Sequence, residues 1–162
     1  MKRVVVADTS SVLYLHLIGE MEVLEKLFVE VHIPAAVYAE LIHPAAPGSV
    51  RAWALTQPDW LSIAPSVTCI DPETAMLDDG ERAASELAVV VDADLILMDE
   101  RKGVRVSLQK GFAVTGTLGI LELAARRGLV DLGDCFQRLK ATNFRYRAEL
   151  LKELLERYRA GR

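Results

Sequence analysis

The sequence predicts a three-layer α/β/α domain with a central parallel sheet of about five strands. Short apolar runs rich in β-branched residues alternate along the chain with stretches of helical periodicity. The 162 residues are 51% hydrophobic and 26% charged and contain no long linker or repeat, which is typical of one globular core. Strands that alternate with helices form parallel sheets with helices on both faces.

The individual elements follow from the same alternation. The predicted strands cover residues 3–7, 29–33, 60–64, 95–98 and 112–114. Pro34 suits the first turn of a helix, and Gly111 and Gly128 suit the ends of two others. The predicted helices cover residues 10–17, 21–28, 34–42, 50–55, 81–91, 101–109 and 118–127.

The last twenty residues have a pattern of their own. We interpret residues 1–142 as the main domain and residues 143–162 as a C-terminal amphipathic helical tail of the same domain. An apolar face packed against the domain is the favoured interpretation, and a contact with a second protein is the alternative. This face consists of Leu150, Leu151, Leu154, Leu155 and Tyr158.

Charge and composition restrict the partners and the compartment. The net charge is −4, which argues against binding of a polyanion by the whole surface but allows a local basic patch. No apolar run approaches the roughly 20 residues that span a bilayer. The first residues do not resemble a secretory signal, and Cys69 and Cys135 lack metal-ligand spacing. We expect a cytoplasmic protein with no membrane contact and two reduced cysteines.

Acidic residues follow two of the predicted strands directly. Asp8 and Asp99 stand at the carboxyl ends of the first and fourth strands, where functional groups gather in open parallel sheets. They become neighbours if the chain changes direction in the sheet after its third strand. Glu40, near the end of a helix, and Glu81, in the first turn of another, can point toward the same edge. The alternative for Asp8 and Glu81 is a helix cap or a helix-dipole acid.

A cluster of four carboxylates needs a cation. At about 5 Å and an effective dielectric constant of about 20, each pair of like charges repels by roughly 3 kcal/mol. A set of oxygen ligands suits Mg²⁺ or Mn²⁺, which can activate water and stabilise the transition state of phosphodiester cleavage. The acids therefore point to a metal-dependent nuclease.

Five segments, in this order along the chain, resemble the motifs of PIN-domain proteins. The resemblance extends from Asp8 to about Gly128 and is closest to small prokaryotic PIN proteins, including the toxins of VapBC-type toxin–antitoxin pairs. The segments are VVVADTSS (4–11), IPAAVYAEL (33–41), DGERAA (79–84), LMDERKG (97–103) and GTLG (116–119).

The resemblance implies an RNA-cleaving hydrolase that depends on Mg²⁺ or Mn²⁺. By this resemblance Asp8 and Asp99 are the direct metal ligands, and Glu40 and Glu81 complete the acidic pocket. It also implies a homodimer and an antitoxin protein as a partner. Ser10 and Thr117 match positions whose hydroxyl groups hold the site or its waters.

One segment departs from the family pattern. Many PIN nucleases have a further acid shortly after the Asp that follows strand four, whereas Arg101 and Lys102 stand there in this chain. We therefore expect a second metal ion to be only weakly held. Glu100 should point away from Asp99 if the backbone stays extended. Arg101, Lys102 and Arg105 are candidate phosphate contacts, with an ordinary solvated helix face as the alternative.

Two other enzyme classes fit the sequence less well than a nuclease. A haloacid-dehalogenase-like enzyme needs an Asp where Ser10 stands, and a receiver domain needs an acidic pair where Thr9 and Ser10 stand. The remaining rival is a catalytically weak PIN-like module that binds RNA or a protein partner.

Overall fold

Five parallel strands form the sheet at the centre of the protein. The computed structural model describes residues 3–65 and 72–161. The strand order is β3-β2-β1-β4-β5, so the chain changes direction after β3 and makes β1 and β4 neighbours, with Ala7 paired to Leu97. The predicted α/β fold is confirmed. The strands are β1 (Val5–Ala7), β2 (Val31–Pro34), β3 (Leu61–Ala64), β4 (Leu95–Leu97) and β5 (Val114–Thr115).

Helices connect the strands and cover both faces of the sheet. A 3₁₀ turn, Pro72–Thr74, precedes the helix before β4. None of the helices within the described ranges is long and apolar enough to cross a membrane. The helices are α1 (Thr9–Leu17), α2 (Glu22–Phe28), α3 (Ala35–Leu41), α4 (Gly48–Leu55), α5 (Asp79–Val91), α6 (Arg101–Gln109), α7 (Thr117–Arg126), α8 (Leu132–Lys140) and α9 (Ala148–Ala160).

The strands divide the core into two parts because successive side chains point to opposite faces. Val5 and Ala7 join the larger part, to which α1, α2, α3, α4, α7, α8 and α9 also contribute. Val6 and Ile96 join the smaller part with side chains from α5 and α6. Burial on both faces explains why these strands are continuous apolar runs in the sequence.

Among the differences from the prediction, two boundaries and one missed helix have a clear physical reason. Pro34 ends β2, pairs with Ala64 and precedes α3, because its extended backbone (ψ 157°) continues the strand. The fifth strand is Val114–Thr115 rather than 112–114, since its register is set by pairing with β4. The sequence analysis assigned no helix to Leu132–Lys140, although its buried residues have helical spacing and the Asp131 side chain caps its first turn.

The C-terminal helix α9 packs on α7 and α8. Its residues Leu151, Leu154 and Tyr158 are buried in the larger core, and the Tyr158 hydroxyl donates a hydrogen bond to the Ala125 carbonyl oxygen. Cys135 is a buried free cysteine of α8, whereas Cys69 lies outside the described residues.

Candidate active site

Asp8 stands at the carboxyl end of β1 and begins α1. Its backbone N–H donates to the Leu97 carbonyl oxygen of β4 (2.9 Å), which fixes the end of the strand. Its side chain is 5% exposed and accepts a hydrogen bond from the Thr9 backbone N–H at 2.7 Å. This bond uses one carboxylate oxygen, so the second can serve another ligand.

Asp99 follows β4 and is held by the first residue of α7. The Thr117 backbone N–H and hydroxyl each donate to one Asp99 carboxylate oxygen, both at 2.7 Å. Thr117 is fully buried, and this fixes the orientation of the carboxylate. A Cβ atom on Gly116 would lie 2.4 Å from Asp99 Oδ1, so the close approach requires glycine there.

Glu81 enters the site from the first turn of α5. The Asp78 side chain caps this helix and accepts a hydrogen bond from the Glu81 backbone N–H at 2.8 Å. The Glu81 side chain is 6% exposed. Asp78 is therefore a helix cap that also contributes its charge to the site.

Glu40 reaches the site from α3 and is the most solvent-accessible of the four predicted acids. The Thr9 hydroxyl donates a short hydrogen bond to Glu40 Oε2. The Glu40 carboxylate lies against the backbone of Gly80, where an added Cβ would be 2.7 Å from Oε1. Glycine at this position of α5 therefore makes room for the Glu40 side chain.

These acids line one cavity of about 420 Å³ at the carboxyl edge of the sheet. The structure thus brings together the four predicted acids, which come from β1, α3, α5 and β4. Ser10, Glu100 and Asp78 line the same cavity. The remaining lining residues are Thr9, Leu13, Tyr14, Asn143, Phe144 and Arg145.

Burial and mutual repulsion perturb the two most enclosed acids. Burial raises the pKa of Asp8 from 3.8 to about 7, the hydrogen bond from Thr9 opposes this, and the charges of Asp78, Glu40 and Asp99 add to it. Burial also raises the pKa of Glu81 from 4.5 to about 7, together with the charge and side-chain hydrogen bond of Asp78 and the charge of Asp8. Both acids would ionise more readily beside a cation.

The chemistry of the donor set fits a hard divalent cation. Carboxylate oxygens are the ligands that Mg²⁺ and Mn²⁺ prefer. The Ser10 hydroxyl oxygen is buried and has no hydrogen-bond partner among the residues that the structure describes, so a polar group or water belongs beside it. In residues 3–65 and 72–161, no three His, Cys, Asp or Glu side chains are arranged closely enough to hold a metal ion together. Ligation of an ion by three acids would therefore require side-chain movement.

The predicted phosphate-binding residues do not all reach the cavity. Arg101 lines an adjoining groove at the start of α6. Lys102 and Arg105 are exposed on the same helix and line neither this groove nor the acidic cavity. Thr117 acts on Asp99 rather than facing the cavity, and Ser10 does line it.

Sequence analysis missed the side chains that close the far side of the cavity. The Tyr14 hydroxyl donates to Asn143 Oδ1 at 3.0 Å, and the Tyr14 and Phe144 rings meet edge to face at 5.0 Å. Arg145 lies beside them. Burial raises the pKa of Tyr14, as does the charge of Asp99, while Arg145 lowers it. The alternation of aromatic residues and arginines at 144–147 is the signal that could have identified this segment.

Fold and site together define an α/β domain with an acidic cavity at the carboxyl edge of a parallel sheet. A family model for the PIN domain matches residues 4–160, so the chain belongs to the PIN-domain family. PIN domains are generally nucleases that use divalent metal ions, which supports a nuclease-like module here. Comparison with curated proteins gives no significant match.

Proposed function

We propose that this protein is a Mg²⁺- or Mn²⁺-dependent endoribonuclease that hydrolyses RNA phosphodiester bonds. The supporting observation is the convergence of Asp8, Glu40, Glu81 and Asp99 on one cavity. Two of these acids are almost fully buried, and a cluster of buried carboxylates is stable near neutral pH only with protons or a cation.

The acids have different roles in this proposal. Asp8 and Asp99 hold the metal ion, because they end neighbouring strands and keep fixed orientations through Thr9 and Thr117. Glu81 and Glu40 complete the acidic pocket, directly or through water.

When bound, the metal ion would activate a water and stabilise the charge that develops on the phosphate. Hydrolysis forms a P–O bond to the water as the ester P–O bond breaks, and the proton that the water loses balances the one that the leaving oxygen takes up. Asp8 and Asp99 orient the centre, and the buried Ser10 hydroxyl is placed to bind a water at its edge.

The test is cleavage of a panel of fluorescent single-stranded RNAs by purified protein with Mg²⁺, Mn²⁺ or chelator. We expect metal-dependent cleavage by the wild type and a loss of at least a hundredfold in Asp8→Asn and Asp99→Asn, since oriented charge at such a site contributes several kcal/mol. Circular dichroism checks that both variants fold.

Asp92→Asn is the matched control. Asp92 precedes β4 whereas Asp99 follows it, so the two lie at opposite ends of one strand. Asp92 also has a positive φ of 51°, which Asn tolerates well. Activity that is equal in the wild type, Asp8→Asn and Asp99→Asn with Mn²⁺ present would contradict the proposal.

The second candidate is a catalytically weak PIN-like module that binds RNA or a protein. Two observations favour it: within the described ranges no three acids are positioned to share an ion, and Arg101 and Lys102 stand where many PIN nucleases have another acid. RNA binding without metal-dependent cleavage would select this candidate.

A toxin role, an antitoxin partner and a homodimer are proposals that rest on the resemblance of the five sequence motifs to small prokaryotic PIN proteins. Growth arrest on expression, relieved by the product of an adjacent reading frame, would support the toxin role. Light scattering on the purified chain would test the dimer, and a monomer at all concentrations would exclude it.

A further inference from the structure

A second groove adjoins the acidic cavity on the side of β4 and β5. Its volume is about 630 Å³, and it lies between the first turns of α6 and α7 and the segment 144–147. Asp99, Glu100, Phe144 and Arg145 line both spaces, so the groove and the cavity adjoin at these residues. A ligand long enough can therefore occupy both.

Three arginines line this groove: Arg101, Arg145 and Arg147. All three are exposed, and none forms an ion pair with a carboxylate in the part of the chain that the structure describes. Other arginines of the protein do form such pairs, for example Arg138 with Glu20 at 2.7 Å. The groove therefore offers unpaired guanidinium groups, which suit the phosphates of a nucleic acid.

Backbone groups add to the positive character of the groove. The residues that precede α6 and α7, Glu100 and Gly116, form no side-chain cap. The first-turn residues Leu118 and Gly119 of α7 line the groove. At the start of α7 the Thr117 N–H is already bonded to Asp99, so the N–H groups of Leu118 and Gly119 are the ones that can favour an anion beside the arginines.

The segment that carries two of the arginines is fixed to the body of the domain. Phe144 is only 9% exposed, and its ring packs against Tyr14. Asn143 accepts the hydrogen bond from the Tyr14 hydroxyl, and the Phe144 backbone N–H donates to the Thr142 hydroxyl at 3.2 Å. Arg145 is thereby held at the junction of cavity and groove.

We propose that this groove binds the backbone of a single-stranded RNA whose reacting phosphate lies in the acidic cavity. The proposal rests on the proposed function and adds the path of the substrate. Arg145 binds the phosphate at the junction, and Arg101 and Arg147 bind phosphates beyond it. Tyr146, which is 38% exposed between two of these arginines, stacks on a base.

The residue types favour a single strand over a duplex. An exposed aromatic ring between arginines binds an unpaired base on its face and the flanking phosphates by charge, and a base inside a duplex has no free face. The acidic side chains Asp99 and Glu100 also line the junction of groove and cavity. Arg145 offsets their charge for the phosphate bound there, and Arg101 and Arg147 bind phosphates farther from the acids.

The test is binding of a labelled single-stranded RNA of mixed sequence, followed by fluorescence anisotropy at several salt concentrations. All binding measurements use proteins that also carry Asp8→Asn, with chelator present, so that the RNA is not cleaved. Each of Arg101→Ala, Arg145→Ala and Arg147→Ala should weaken binding about fourfold near 0.15 M salt and lower the slope of log K against log salt by about 0.7.

Arg127→Ala is the matched control, because Arg127 is exposed and follows the other end of α7. At about 1.5 Å per residue, the ten residues of that helix separate it from the groove by about 15 Å. The control should bind like the parent. If the groove variants also kept the affinity and salt slope of the parent, the proposal would be overturned.

Tyr146 provides a second, uncharged test. Tyr146→Ala should weaken binding about fivefold or more, whereas Tyr146→Phe keeps the ring and should bind like the parent. Equal loss in both variants would overturn stacking, and tighter binding of a duplex than of the single strand would overturn the choice of ligand.

Binding and cleavage are measured separately, so the two proposals can fail separately. Metal-dependent cleavage by the wild type with unchanged affinity in the groove variants would refute the groove alone. Loss of affinity in those variants, with no cleavage under any metal condition, would support the groove and refute the nuclease.

Discussion

Replacing Asp8 with Asn should make the metal-free protein more stable near neutral pH. Asp8 is 5% exposed, and burial and the neighbouring acids raise its pKa to about 7. Asn removes the charge but keeps an oxygen that can accept the hydrogen bond from the Thr9 backbone N–H, and Asn is a good N-cap residue. The substitution therefore isolates the cost of the buried charge.

The pH dependence follows from the direction of the pKa change. The folded protein keeps a proton on Asp8 up to about pH 7, whereas the unfolded chain loses it near 3.8. Between these values the folded state binds more protons, so stability is greatest at low pH and falls as the pH rises toward 7. For this single group the loss between pH 5 and pH 8 is about 3 kcal/mol.

Urea unfolding with chelator at pH 5, 6, 7 and 8 measures this dependence. We expect the free energy of unfolding of the wild type to fall across the series, and that of Asp8→Asn to fall about half as much. Glu81, whose pKa is also raised, leaves some dependence in the variant. Parallel curves for the two proteins, or a wild type that gains stability toward pH 8, would refute the reasoning.

Substitutions at three further positions test how Glu40 and Asp99 are held. In Gly80→Ala the exposed Glu40 side chain can move away from the new Cβ, so the free energy of unfolding should change by less than about 1 kcal/mol. The cleavage rate should fall to that of Glu40→Ala, because Glu40 no longer reaches the site. Unchanged cleavage would contradict this. In Gly116→Ala the new Cβ would lie 2.4 Å from Asp99 Oδ1. We expect the free energy of unfolding in urea to fall by about 1–3 kcal/mol and the cleavage activity to fall as well. Thr117→Val removes the 2.7 Å hydroxyl bond to Asp99 and should cost about 1 kcal/mol and slow cleavage, whereas Thr117→Ser should resemble the wild type in both assays.

The centre of the sheet was predictable because β1 and β4 are buried on both faces. Val4 to Ala7 and Leu95 to Met98 are continuous apolar runs, and such runs can lie only inside a layered domain. The boundaries were less predictable, since pairing with neighbouring strands decides where a strand ends. Pro34 shows this: its sequence suits a helix start, but its partner Ala64 keeps it in β2.

The positions of two of the acids could be predicted because each directly follows a strand. Asp8 and Asp99 follow adjacent parallel strands, so the change of direction after β3 suffices to bring their backbones together. The orientation of their side chains depends on distant residues. The Thr117 hydroxyl, eighteen positions beyond Asp99, orients one carboxylate, and nothing in the local pattern at either residue indicates that bond.

The role of the segment 143–147 was not predicted because it also depends on residues that are distant in the sequence. Tyr14 and Asn143 are separated by 129 positions, so their contact depends on the tertiary fold. The helical periodicity of the C-terminal tail directed attention to its apolar face. The residues before the helix alternate between aromatic residues and arginines, but only the tertiary fold places them along the cavity and the groove.

The roles of helix cap and site residue, weighed as alternatives in the sequence, are compatible in the structure. Asp8 caps α1 and Asp78 caps α5, each by accepting one backbone hydrogen bond, and both line the acidic cavity. A carboxylate has about four acceptor positions, so one bond to the backbone leaves others for a ligand. The cap also fixes the side chain in place before any ligand arrives. Two helices that begin at the carboxyl edge of the sheet therefore hold acids in position there, at a cost in stability that a bound cation would offset.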